Sequence, residues 1–350
     1  MKNWILTFLT ISATFCCYGQ NLKTIGYKQL ADEIFSSNKE KLFYKNIHFI
    51  NDLPDKGAES FITTYVNGGA PWTVFGGFKR YLDSKGIDKD STGLFYSNCN
   101  LIEFEECNFD NDIRFSNVKF NGSVSFTNCD FPTISEDYVG LYGQVFGGAV
   151  LIDSCQFIGR FELKVRKETS YRFFFKFNHS VSNWFKVELQ KSTSQIKQSN
   201  FLKESSIQIH GESGIQVDSA HFGNLRLELD NTNWISISNS LIRDSTNNFS
   251  SFYLNTGSII LSDNYFDANI QLSFEKALID FRKNNFCKKL VLDFNEIEKA
   301  SYVNLISLKN LDIGIFSNDS YYNATTREQV NDDFNFKKYL TQKSQVEFDL

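Results

Sequence analysis

A six-residue phrase recurs along the chain: an apolar residue, two polar ones, a small one, a polar one and, most often, phenylalanine. It reads FEECNF at 104–109, FSNVKF at 115–120 and FTNCDF at 126–131, starting every 11 residues. It returns at 152–157, 196–201, 217–222, 237–242, 261–266 and 281–286, with a weaker copy at 177–182. From residue 157 to residue 286 the closing positions recur every 21.5 residues on average, so that a step of 11 is half a coil. Such a period restricts the chain to a stack of similar units, because one unit cannot bury its own apolar side whereas a series buries a continuous column.

Later copies are followed by runs in which apolar and polar residues alternate, as at Phe161, Leu163 and Val165 or Leu225, Leu227 and Leu229. Alternation at period two gives a strand with one buried and one wet face. A content of 36 Phe against 3 Pro and 1 Met also suits strands better than helices. A coil of about 21 residues at about 3.3 Å per residue has a perimeter of about 70 Å, and stacking at about 4.8 Å pairs each strand in parallel with its counterpart one coil away. The expected fold is all-β, a parallel β-solenoid (β-helix) of ~21-residue coils with short helical caps. In it Phe109, Phe120, Phe131, Phe157, Phe201, Phe222, Phe266 and Phe286 form interior ladders. Cys107, Val118, Cys129, Cys155, Ser199 and Ala220 are the small inward residues that let the corners close. Such a core is dry and leaves no room for chemistry.

The triplets Cys107-Asn108-Phe109, Cys129-Asp130-Phe131 and Ser199-Asn200-Phe201, with Ala220-His221-Phe222 close to them, resemble the pentapeptide-repeat family. Units of that family place a small residue two before a central Leu or Phe. The resemblance covers about residues 94 to 292 and is degenerate, with steps running from 19 to 25 residues. It implies a right-handed parallel β-helix. The pectate-lyase-like β-helices, whose coils are longer and more irregular, are the rival family.

Residues 1–19 read as a signal peptide. Lys2 supplies the positive start, 4–15 an apolar stretch broken only by Thr and Ser, and Cys17-Tyr18-Gly19 the small residues before a cleavage site at Gln20. The stretch is too short to span a bilayer, and no transmembrane segment is expected in the mature chain. A periplasmic or secreted protein follows. Lipoprotein anchoring through Cys16 or Cys17 is the weaker alternative, since Phe15 or Cys16 would precede the acylated residue. Residues 20–50 form an N-terminal cap and first coil, with Tyr27, Leu30, Ala31, Ile34 and Phe35 at helical spacing. Residues 51–93 are a non-repeat insertion, 132–148 a second departure from the repeat, 94–315 the solenoid, and 316–350 a C-terminal cap. Within that cap a helix is predicted over 326–344 after Thr325 or Thr326. Insertions in repeat proteins gather on one face, where they bind ligands or serve as irregular caps.

Few residues invite catalysis. The mature chain has five cysteines, Cys99, Cys107, Cys129, Cys155 and Cys287, at spacings that make neither a disulfide framework nor a zinc signature. Buried free thiols are expected, with a vertical Cys107 to Cys129 disulfide as the alternative that export would permit. His48, His179, His210 and His221 fall in no HxH or HxxxH arrangement, so neither a metal nor another cofactor is expected. The outward column Asp153, Asn178, Lys197, Asp218, Ser238, Ser262 and Arg282 mixes charges. Asp153 with Asp218, or Asp263 with Asp280, are the pairings that could serve an inverting glycosidase. There is no GxSxG and no P-loop. Trp72, Trp184 and Trp234 are the candidate ligand contacts, because aromatic rings stack on sugars; core or corner packing competes for Trp184 and Trp234.

The net charge of −5 is spread with the signs interspersed, so nucleic acid is not an expected partner. The leading expectation is an exported non-enzymatic solenoid acting as a binding or structural surface for a glycan or a protein at the cell surface. Two alternatives stand beside it. A carbohydrate-active β-helix enzyme, a polysaccharide lyase or glycoside hydrolase, requires carboxylates converging in a cleft. A DNA-mimicking inhibitor, as some pentapeptide-repeat proteins are, requires a strongly acidic face.

Overall fold

The computed structural model describes residues 22–36, 38–50, 52, 77–89, 95–110, 118–131, 138–141, 143–146, 148–165, 173–230, 234–244, 249–282, 284–287, 290–293, 302–305, 313–317, 320–324 and 345–347. Nearly every strand pairs in parallel with its counterpart one coil away. One stack runs through Lys41–Lys45, Leu101–Glu105, Ser123–Thr127, Ala149–Asp153, Phe173–Asn178, Ser192–Lys197, Gly214–Asp218 and Trp234–Ser238. It continues into Phe249–Ser262 and Asn269–Arg282. A second stack holds the end of each phrase and the alternating run behind it. The closing position of the phrase steps through 109, 131, 157, 182, 201, 222, 242, 266 and 286, about 22 residues per turn over about 8 turns. The expected all-β parallel solenoid is what the chain forms.

The phrase is the corner. Its third residue lies in the left-handed region at Asn46, Glu106, Asn128, Ser154, His179, Gln198, Ser219, Asn239 and Asp263. This conformation is uncommon outside glycine and costs roughly 1–2 kcal/mol per residue. Its backbone N–H donates to the second-position carbonyl of the following coil, as in Glu106 to Thr127, Ser154 to Asn178 and Ser219 to Ser238. The fifth-position N–H donates the other way, as in Gln156 to Cys129 and His221 to Ser199. Bonded in both directions, the corner keeps a conformation that Glu, His and Gln would not choose alone.

The fourth position contributes more than small size. The side chains of Cys107, Cys129, Cys155, Ser199, Asn264 and Asn284 donate to the first-position carbonyls of Tyr44, Phe104, Phe126, Phe177, Ile237 and Leu261 in the preceding coil. Their oxygens also accept backbone N–H groups, as from Cys155 to Ser180, Ser240 to Asn264 and Asn264 to Asn284. Buried polar groups without such partners would each cost about 1–3 kcal/mol.

Inside, Phe49, Phe109, Phe131 and Phe157 stack with centroid separations of 4.9, 4.6 and 4.5 Å. Phe201 and Phe222 stack at 4.9 Å, and Phe266 is fully buried. Two expectations need correction. Phe120 is buried but belongs to a third side, where Val118–Phe120 pairs with Phe95–Ser97 and Gly143–Phe146. There Phe120 faces Phe35 at 6.1 Å instead of entering the ladder, because a half-coil step turns the copy at 115–120 to the opposite side. The ladder is also broken at Ser182, which pairs between Phe157 and Phe201 and donates its hydroxyl to the Trp184 carbonyl. Phe185 fills the gap, 4.4 Å from Phe201. Phe286 takes the backbone position opposite Phe266.

The N-terminal end is covered by α1, Tyr27–Phe35, which buries Tyr27, Leu30, Ala31, Ile34 and Phe35. Asp52 accepts the Lys28 N–H at 2.9 Å, supplying an anion to the helix start. A second helix, α2, Gly77–Ser84, docks on α1 with Tyr81 donating to Asp32 at 2.9 Å. The end of the 51–93 segment is thus part of the cap. The first coil at 41–50 pairs directly with 101–109. Ile313–Ser317 and Ser320–Ala324 form an antiparallel pair at the other end, and the helix predicted over 326–344 lies outside the described residues.

Phe131, sandwiched between Phe109 and Phe157, should be among the costliest residues to truncate. Phe131→Ala is expected to lower stability by about 3–5 kcal/mol in equilibrium denaturation.

Candidate binding faces

Register places the second phrase position of successive coils in one outward column. Asp153 pairs with Asn178, Asn178 with Lys197, Lys197 with Asp218, Asp218 with Ser238, Ser238 with Ser262 and Ser262 with Arg282. Asp153 and Asp218 therefore stand three coils, about 14 Å, apart. That exceeds the roughly 6.5–9.5 Å at which an inverting glycosidase holds its carboxyls. The other pairing fares no better, because Asp263 sits in a corner and the Asp280 backbone lies opposite Ile260. Each carboxylate of the first pair is held sideways. His179 Nδ1 and Ser154 Oγ contact Asp153 at 2.8 and 3.2 Å, while Ser238 Oγ and Asn239 Nδ2 donate to Asp218 at 3.0 and 2.9 Å. His179 Nε2 also reaches Gln198 at 2.6 Å.

The second stack carries charge in compensated ladders. Lys164 pairs with Glu188, Lys186 with Glu162 at 3.4 Å, Arg226 with Glu228 at 3.8 Å and His210 with Asp230 at 3.8 Å. His48 pairs with Asp110 at 2.9 Å, and His221 is exposed. No group of three or more His, Cys, Asp or Glu among the described residues could hold a metal.

The two described tryptophans differ. Trp184 is half-buried beside the register position of Arg160, with the Lys203 ammonium 5.3 Å from its ring centroid, a cation–π contact on a corner. Trp234 opens its strand with 38% of its surface exposed and pairs with Gly214. Trp72 lies outside the described residues. Other exposed apolar side chains are Phe43, Ile158, Phe174 and Leu202.

Cys99, Cys107, Cys129 and Cys155 are free and buried, whereas Cys287 is free and exposed. The disulfide alternative for Cys107 and Cys129 is not what forms. Their thiols stack as hydrogen-bonding neighbours instead; the Cys129 contact and burial push the Cys107 thiol well above its ordinary range, and burial does the same for Cys129. Among the described cysteines, Cys287 should alkylate rapidly in the native protein while the other four react only on unfolding, as peptide mapping after timed iodoacetamide treatment would show.

Burial also raises the carboxyl of Asp130 in the fifth-position column, where Asn108 pairs with it. A carboxyl raised on folding contributes stability that is fully present below its unfolded pKa of about 3.9 and is lost as pH climbs through the folded value. Asp130→Asn is therefore expected to stabilise the protein at neutral pH relative to wild type. The advantage should shrink as pH falls toward 3.9, measured by urea denaturation across pH.

These columns and ladders define the class: a parallel β-solenoid with a dry aromatic core and paired polar faces. The family model for pentapeptide repeats (9 copies) matches residues 104–135, so the solenoid is a pentapeptide-repeat one. No curated protein and no solved structure is significantly similar to the chain. Among the described residues no helix is long and apolar enough to cross a membrane.

Proposed function

We propose that the chain is an exported, non-enzymatic solenoid that presents its outer faces as a binding surface. One observation carries this reading: the carboxylates of the outward column are spread along the solenoid axis, each fastened by neighbouring side chains, instead of facing one another across a cleft. The stacked phenylalanine interior leaves the outer faces as the only places where the coils can meet another molecule. Export rests on the charged, apolar and small-residue segments of residues 1–19.

Incubating the full chain with neutral and acidic polysaccharides is expected to release neither reducing ends nor unsaturated products. Release that disappears in Asp153→Asn or Asp218→Asn would replace this reading with a carbohydrate-active enzyme. Expression with its own N-terminus, followed by fractionation and N-terminal sequencing, is expected to give a processed chain starting at Gln20 outside the cytoplasm.

A further inference from the structure

The pairing of Trp234 with Gly214 is more specific than an aromatic residue that happens to be exposed. A Cβ built on Gly214 would lie 2.6 Å from Cε2 of Trp234, 2.7 Å from Nε1 and 2.9 Å from Cζ2. Cε2 is bonded to both of the other atoms and is the nearest of the three. A point with these distances lies above the ring plane; beside the ring edge, the two flanking atoms would be nearer than Cε2. The indole therefore lies face-down across Gly214, and only a glycine permits it. Its other face is turned to solvent, consistent with the 38% exposure.

The register extends this into a strip. Gly214 pairs with Thr193, and Thr193 with Phe174, which is 37% exposed. Two rings thus stand about 14 Å apart, three coil spacings, with a hydroxyl and a bare backbone between them. The adjoining column is Lys176, Gln195, Gln216 and Ser236, in which the Gln195 amide donates to Gln216 at 3.4 Å. Three of its four members are neutral hydrogen-bonding groups.

We infer that this strip binds a neutral glycan chain lying along the solenoid axis, with a sugar ring stacked on the outward face of Trp234 and hydroxyls bonded to Gln195 and Gln216. This rests on the proposal that the outer faces bind rather than catalyse. An apolar protein segment fits less well, because it would cover Thr193, Gln195 and Gln216 without answering their hydrogen bonds. The rings are also separated by polar groups, where an apolar partner would need one contiguous patch. A sugar ring offers both what an indole face accepts and what amides accept.

The test is calorimetric titration of the full chain with hexasaccharides of β-1,4-glucose, β-1,3-glucose, β-1,4-xylose and β-1,4-N-acetylglucosamine, with hexagalacturonate as the anionic control. At least one neutral hexamer is expected to bind, more tightly than hexagalacturonate. Trp234→Ala should weaken that binding tenfold or more, and Trp234→Phe less. Gly214→Ala, which must lift the indole, should weaken it while leaving the circular dichroism spectrum unchanged. Binding by no neutral hexamer, preference for the anionic one, or affinity within twofold of wild type in Trp234→Ala would each overturn the inference. Self-association on gel filtration that Trp234→Ala abolishes would overturn it too, assigning the strip to a second copy of the chain. Mass spectrometry of the titrated sugar separates the two proposals, since cleavage would refute the non-catalytic reading without touching the Trp234 strip.

Discussion

The structure depends on a pair of backbone hydrogen bonds at one corner of each coil. The third phrase residue donates forward to the next coil and the fifth donates back to the preceding one. Together they fix which residue sits on which, and every other regularity follows. With the corner locked, first positions fall on first positions, phenylalanines stack on phenylalanines at 4.5 to 4.9 Å, and the second positions line up outside. The cost is a non-glycine residue in the left-handed region at every such corner, tolerated because its N–H has nowhere better to bond.

Register also decides what the surface can do. In a solenoid, proximity between coils comes only from shared position, and shared position spaces groups by whole coil heights. Two carboxylates three coils apart cannot cooperate on one bond, however suggestive they look in sequence. Groups in adjacent coils do meet, and here they meet as complementary pairs, Lys164 with Glu188 and Lys186 with Glu162. An exposed pair of this kind contributes only about 0–1 kcal/mol, so these ladders act mainly to keep the face polar and evenly charged.

Much of this was legible in the amino-acid order because the phrase encodes it directly. The closing phenylalanines named the ladder, the alternating runs named the second stack, and the second positions named the outward column. Where legibility failed, the cause was geometric. Phe120 has the right phrase but half a coil of offset, which no local pattern reveals. Ser182 sits at a ladder position whose vacancy Phe185 fills from three residues on. The donor role of the fourth position was hidden because Cys, Ser and Asn look alike when only size is read. Trp234 could be recognised as a candidate contact, but its seat on Gly214 depends on residues 20 positions apart becoming neighbours.

The fourth-position column has a direction. Each side chain there reaches back to a carbonyl in the coil already laid down, while its own N–H takes a partner from the coil that follows. A coil emerging from the ribosome thus finds its acceptors waiting on the layer before it, and its arrival completes that layer in turn. Synthesis from N- to C-terminus and the growth of the stack run the same way. The contacts each coil needs lie only some 20 to 26 residues behind it, a range at which loop closure stays fast. The solenoid can be built like masonry, course upon course, with α1 as its footing.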